Sequence, residues 1–213
     1  MRVALVAAVV AALSLSLSLS ACSADPAPPS ALSTAPVIAP GRPGEPARTI
    51  SPSEAATAVP TPTANAADVK YVRDMIVHHR QAVDMAILAP SRADSAALKG
   101  LASRIKDAQG PEIQYMTTWL RQQGLQAPDH HAGHAGMPGM ATPEQMEALK
   151  AASGKDFDRL FLTLMIAHHR GAITMSEQVL IGGSHIKVEE LANDVAATQG
   201  AEIRRMLEMQ AKL

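Results

Sequence analysis

Residues 75–85 read MIVHHRQAVDM, and residues 165–175, ninety positions later, read MIAHHRGAITM. The same offset aligns residues 109–116, QGPEIQYM, with residues 199–206, QGAEIRRM. Because one offset aligns both blocks, the pattern indicates a duplicated unit and not two chance motifs. Each copy is long for a short repeat array and fits a hairpin of two helices.

The apolar residues of both copies recur with the period of an α-helix. The chain has only five aromatic residues, so its core must be built from Leu, Ile, Val, Ala and Met, which suits packed helices. We therefore predict an all-α fold, a four-helix bundle of two antiparallel hairpins, in which Pro111 kinks the second helix. The predicted helices are about 66–88, 94–123, 156–180 and 185–212, with a short extra helix starting at Thr142.

These helices define one bundle domain, residues 67–213. Its two copies are expected at about residues 67–124 and 156–213, and residues 125–142 form a linker rich in His and Met.

The N-terminal third is expected to stay outside the core. Residues 1–21 resemble a secretory signal, with Arg2 before an apolar run, and the following Leu-Ser-Ala-Cys22 is similar to a bacterial lipobox. Residues 22–66 hold a lipidated Cys22 and ten of the fifteen prolines, a composition that favours a disordered tether. We expect a secreted protein anchored by Cys22 to the outer face of the cytoplasmic membrane or to the envelope. An ordinary secretory signal with an incidental Cys is the alternative.

The charge of the chain and its cysteine content exclude two features, a nucleic-acid surface and an internal disulfide. The formal net charge is −1 and basic residues do not cluster, which argues against a nucleic-acid surface. The single Cys allows no internal disulfide.

The apolar faces of the predicted helices carry His, Glu and Met in both copies. Burying an imidazole or a carboxylate without a partner is costly, so these groups must pair with one another or bind a metal. The alternative to a metal is a satisfied polar network, in which the two Glu accept hydrogen bonds from His, Arg80 or Arg170. The candidate metal ligands are Met75, His78, His79, Met85, Glu112 and Met116 in the first copy, and Met165, His168, His169, Met175, Glu202 and Met206 in the second.

The types of ligand select the metal. Thioethers favour Cu(I), and imidazole accepts copper or zinc. Di-iron bundles use four carboxylates with two Glu-x-x-His motifs, whereas the candidate set offers two carboxylates and no such motif. Copper, as Cu(I) or Cu(II), is the predicted metal, and zinc is the alternative.

The linker supports the same interpretation. Three His and two Met lie within twelve residues among Gly spacers, at His130, His131, His134, Met137 and Met140. Ligands on a Gly-rich chain can adapt to Cu(I) or Cu(II) and suit capture or hand-off of an ion. A polar linker with chance enrichment in His is the alternative.

The doubled motif Met-Ile-x-His-His-Arg-x-Ala, followed by Gln-x-x-Glu-Ile-x-x-Met, resembles that of the DUF305 family, a domain of unknown function. The resemblance covers residues 67–213. It implies a ferritin-like helical bundle in a secreted bacterial envelope protein, with some family members associated with copper binding and metal tolerance. The family signature falls on the twelve bundle positions given above, and the linker is outside it.

The leading hypothesis is an envelope lipoprotein that sequesters copper or passes it to an unknown metal-accepting envelope protein. A ferritin-like, metal-dependent oxidoreductase and a structural or signalling bundle without a metal are the alternatives, and no catalytic residue is assigned.

Overall fold

The computed structural model describes residues 36–39, 44, 46–58, 63–129 and 136–213. They divide between two compact units, Met1–Pro60 and Thr61–Leu213. The expected signal peptide and Cys22 lie outside the described residues, as do the linker residues 130–135.

The first unit contains a short β-hairpin and one short helix. Strand β1 (Val37–Ala39) pairs antiparallel with β2 (Arg48–Ile50), with Ile38 opposite Thr49. Helix α1 (Pro52–Ala58) follows directly. These elements lie within residues 22–66, the segment predicted to be a disordered tether, at positions where β-branched residues favour strands locally. The hairpin nevertheless buries little, since Ile38 is 74% exposed.

The second unit is a helical bundle, as predicted. Helices α2 (Ala66–Ala86) and α4 (Ala96–Gln122) form the first hairpin, and α6 (Gly154–Gly182) and α7 (Ile186–Gln210) form the second. The two hairpins meet mainly where α2 packs on α6. Two short helices, α3 (Ala89–Arg92) and α5 (Pro143–Ala151), complete the unit.

Local signals set most of the helix ends. The Asn65 side chain caps α2 in a box with Asp68, and Thr142 caps α5 in the predicted box with Gln145. Helix α4 runs without interruption through Pro111. The short helix α3 was not predicted, and it follows Leu88 where the pattern placed only a stop.

Two buried carboxylates cap helices of the opposite hairpin. Asp158, near the start of α6, accepts hydrogen bonds from the backbone N–H groups of Asp94 (3.1 Å) and Ser95 (2.9 Å) at the start of α4. Asp68, its counterpart ninety residues earlier, accepts from the backbone N–H of Ser184 (3.1 Å) before α7. Both Asp residues are 1% exposed, and a negative charge at a helix N-terminus is stabilising. The duplication therefore joins its two hairpins reciprocally.

The core of the bundle consists of two hydrophobic clusters. One contains Phe157 and Phe161 together with Leu149 of α5. The other contains Tyr71 and Trp119. Among the described residues, no helix is long and apolar enough to span a membrane.

Replacing Asp158 by Asn should lower the free energy of unfolding by about 1–3 kcal/mol, because two N–H groups at the start of α4 lose a charged acceptor. Denaturant unfolding monitored by circular dichroism measures the change. Asp156→Asn is the matched control on the same helical turn. Its carboxylate is exposed and contacts only Arg159, so the change should stay within about 0.5 kcal/mol. Equal losses in the two variants would contradict the capping role.

Candidate metal site

Four histidines form a layer at the centre of the bundle, which we call the histidine layer: His78 and His79 on α2, and His168 and His169 on α6. All four side chains are fully buried. The rings of His78 and His168, which are related by the ninety-residue offset, lie with centroids 3.7 Å apart and planes tilted by 37°. The pseudo-twofold axis of the duplication therefore passes between these two rings.

The outer pair of histidines is fixed by carboxylates from the partner helix of each hairpin. His79 Nε2 lies 2.7 Å from Glu112 Oε2, and His169 Nε2 lies 2.7 Å from Glu202 Oε2. The Glu side chains are 28% and 14% exposed, so each carboxylate reaches toward water while the imidazole is enclosed. The carboxylate accepts the hydrogen bond, so Nε2 carries the proton that is donated, and Nδ1 is the ring nitrogen that has no hydrogen-bond partner among the described residues.

Arg80 does not share in this network. Its guanidinium donates to the backbone carbonyls of Pro128 (2.8 Å) and Asp129 (3.0 Å) instead, and Arg170 is exposed. The carboxylate partners are therefore the histidines, as one version of the polar-network alternative expected.

The inner pair has a different environment. His78 Nε2 donates to the carbonyl oxygen of Pro138 at 3.1 Å, which again leaves Nδ1 as the lone pair. Neither ring nitrogen of His168 makes a hydrogen bond of good geometry to a described residue.

The Nδ1 atoms of all four rings are buried and have no hydrogen-bond partner among the described residues. A buried acceptor without a partner is costly. A hydrogen-bond network thus accounts for three of the Nε2 atoms and for none of the Nδ1 atoms. The unpaired lone pairs are what a cation at the centre of the bundle would satisfy.

Burial keeps the inner imidazoles neutral. It lowers the pKa of His78 from 6.5 to about 3, with a further contribution from the charge of His79. Burial also holds the pKa of His168 well below 6.5, and the neighbouring His78 acts in the same direction. Neutral imidazole is the form that binds metals, so these two rings need not lose a proton at neutral pH to act as ligands.

The six bundle methionines lie on two sides of the histidine layer. Met75, Met116 and Met175 belong to the cluster around Trp119, and Met85, Met165 and Met206 belong to the cluster around Phe161. We call these groups the two Met trios; the ninety-residue offset relates one to the other. Met75 and Met85 share a helix face but are ten residues apart, about 15 Å along the axis. The six thioethers therefore do not converge on one point.

The second half of the linker lies across the bundle at the histidine layer. The Gln81 side chain accepts from the backbone N–H of Ala141 (2.7 Å) and donates to its carbonyl (2.9 Å). At the equivalent position of the second copy stands Gly171, where a Cβ would collide with the carbonyl of Pro138. The linker is thus held by the Gln81 amide on one side, and on the other it fits against α6 because Gly171 has no side chain. In this position Met137 and Met140 are half-buried. The remaining linker candidates, His130, His131 and His134, lie outside the described residues.

The described residues contain no group of three or more His, Cys, Asp and Glu side chains arranged to hold a metal ion. The layer offers buried imidazole nitrogens, with thioethers on either side of it. Imidazole and thioether together suit copper.

Sequence reasoning found the four His, the two Glu and the six Met but missed the residues that arrange them. Asp68 and Asp158 obey the ninety-residue offset, so the repeat contained a signal for them. The Gln81–Gly171 difference is also visible in the aligned blocks. Its meaning depends on the linker packing, which no periodicity reports.

The chain matches the model of one protein family, the domain of unknown function DUF305, over residues 68–210. No curated protein matches significantly.

Solved structures that are similar to the chain include two DUF305 proteins and CopM. A DUF305 protein of Streptomyces coelicolor, assigned as secreted, is 33% identical over 68% of this chain and 93% of its own, with a TM-score of 0.64. A DUF305 fragment from Deinococcus radiodurans is 32% identical over 71% and 100%, with a TM-score of 0.66. CopM in its Cu(II)-bound form is 32% identical over 68% and 96%, with a TM-score of 0.60. CopM has also been solved in Cu(I)-bound, Ag-bound and apo forms.

Acidification should destabilise the metal-free protein. The folded-state pKa values of His78 and His168 lie below the ordinary value of 6.5, so below that pH the unfolded chain binds more protons than the folded one. Between about pH 7 and pH 5, protonation of His78 should cost roughly 2 kcal/mol of unfolding free energy, and His168 should add a loss in the same direction. Urea unfolding at a series of pH values measures this loss. His168→Gln should reduce it, and an unchanged pH dependence in that variant would contradict the assignment.

Proposed function

The chain belongs to the DUF305 family, since that family's model matches residues 68–210, and on this premise we propose that it binds a copper ion at the histidine layer. The observation that carries the proposal is the set of four buried Nδ1 atoms without partners. Proteins seldom bury acceptors in this way unless an ordered water or a bound ion satisfies them, and we infer that a copper ion does so here.

The hydrogen bonds on the far side of the rings support the same conclusion. A histidine that binds a metal through one nitrogen almost always donates its other N–H to a carboxylate or a backbone carbonyl, which fixes the tautomer and the ring orientation. His79 and His169 have carboxylate partners, and His78 has the carbonyl of Pro138. Three of the four rings are thus oriented with Nδ1 as the free ligand atom.

Copper fits this environment best among common metals. Neutral imidazole accepts Cu(I), Cu(II) and Zn(II), and the neighbouring thioethers favour the softer Cu(I). CopM, which has been solved with Cu(II), Cu(I) and Ag, is similar over nearly its whole length. Zinc is the competing metal, because it needs no thioether.

We place the protein in the cell envelope as a lipoprotein. The signal-like residues 1–21 and the lipobox ending at Cys22 support export and lipidation, and the similar Streptomyces coelicolor protein is assigned as secreted. The bundle would then sequester copper outside the cytoplasmic membrane or pass it to a metal-accepting envelope protein. The linker residues His130, His131, His134, Met137 and Met140 would supply a second, looser site.

The other two hypotheses explain less. A di-iron oxidoreductase requires four carboxylates, and Glu112 and Glu202 are each already bonded to a histidine. A structural bundle without a metal explains the His–Glu pairs and leaves the four Nδ1 atoms unsatisfied.

The test replaces His79 and His169 together by Gln in the full chain purified in detergent. A Gln amide can keep the bond that Nε2–H donates to the carboxylate, while the Nδ1 lone pair is lost. Competition against a coloured Cu(I) chelator should show an affinity for Cu(I) lower by at least 10- to 100-fold, the usual cost of disturbing a metal site. Zn(II) affinity is measured in parallel.

The control is His185→Asn. His185 caps α7 through Nδ1, a role that Asn also performs, and it lies outside the histidine layer. Its Cu(I) affinity should match the wild type. An unchanged affinity in the Gln variant, or wild-type binding no tighter than that of an unrelated bundle with buried His, would refute the proposal.

A further inference from the structure

A cleft of about 410 Å³ opens on one side of the bundle, between α2, α6 and the second half of the linker. Its floor includes Met175, a member of the Met trio around Trp119. Beneath it, the hydroxyl of Tyr71 is hydrogen-bonded to Ser176 at 2.9 Å. The lining side chains that matter are Lys70, Tyr71, Asp74, Met137, Met175 and Gln178.

The duplication provides an internal comparison, because the equivalent surface of the other copy is closed. The offset relates the polar Lys70 and Asp74 to Leu160 and Leu164. Leu164 is 6% exposed and packs in one cluster with the fully buried Leu149 of α5. The counterpart of Gln178 is Leu88, which packs against the same cluster.

The two Met trios therefore differ in access to solvent. Met85, the counterpart of Met175, is fully buried on the closed side. Met175 is 6% exposed and lines the open cleft. The two Met trios are thus related by symmetry, but only one of them borders an open cleft. This arrangement suits passage of an ion better than storage alone.

We propose that this cleft is the port through which Cu(I) reaches the histidine layer, with Met137 and Met175 as the thioethers that capture it. The proposal rests on the proposed function and adds the route. Two thioethers that line one cleft favour a soft monovalent ion.

Both capturing residues connect directly to the layer. Met137 precedes Pro138, whose carbonyl accepts the hydrogen bond from His78. Met175 is seven residues after His168, two turns along the same face of α6 and about 10 Å away. An ion held at Met175 is therefore about 10 Å along α6 from the histidine layer.

The rate of loading tests the port. The full chain in detergent is mixed anaerobically with Cu(I) bound to a coloured chelator, and loss of colour is followed by stopped flow. The double variant Met137→Leu/Met175→Leu should load at least roughly tenfold more slowly, the lower end of what lost metal contacts cost. At long times, with excess copper, the histidine layer of this variant should fill to the same extent as in the wild type.

Two further variants complete the experiment. Met146→Leu, an equally conservative change at a methionine of α5 outside the Met trios and the linker, should load at the wild-type rate. Lys70→Leu/Asp74→Leu copies the leucines of the closed side into an exposed position and should slow loading as well.

The outcomes separate the two proposals. If the wild type takes no Cu(I) from the chelator, the proposed function fails and the port with it. If the wild type loads but the cleft variants load equally fast, or Met146→Leu slows loading as much as they do, the port alone is overturned.

Discussion

The contact between the His78 and His168 rings constrains the rest of the bundle. Four polar rings at the centre of an apolar interior are tolerated only if each is neutral and held. Burial keeps the inner two neutral, and carboxylates that reach the surface hold the outer two. The two hydrophobic clusters pack on either side of this layer. The layer is costly for the metal-free chain, and a bound cation would offset that cost by satisfying the free nitrogens.

Duplication gives the molecule its symmetry, and a few substitutions between the copies remove it locally. Asp68 and Asp158 preserve the symmetry, since each caps a helix of the other hairpin. Gln81 and Gly171 break it, because together they fix a single linker across the layer. The side covered by α5 is sealed by leucines, and the opposite side keeps polar residues and a cleft. The two surfaces of the bundle therefore differ, while the centre stays nearly twofold.

The ninety-residue offset and the helical period predicted the four long helices to within a few residues and identified the buried His, Glu and Met. A helical wheel reports which side chains share a face and gives no separation along the axis, so it grouped Met75 with Met85, although they lie about 15 Å apart. The same pattern cannot report which ring nitrogen is bonded. That depends on Pro138 and the two Glu, which belong to other elements. The short strands before α1 escaped prediction because overall composition outweighed a few β-branched residues.

The proposed copper site depends most on the Nδ1 atoms being the free ligands, and ring nitrogen NMR of the ¹⁵N-labelled protein tests this directly. In the metal-free state, His78, His79 and His169 should show the tautomer protonated at Nε2. Loading with Ag(I), a stable substitute for Cu(I), should shift Nδ1 resonances of the histidine layer and split them by coupling to silver. Protonated Nδ1 atoms in the metal-free state, or silver coupling confined to histidines outside the layer, would contradict it.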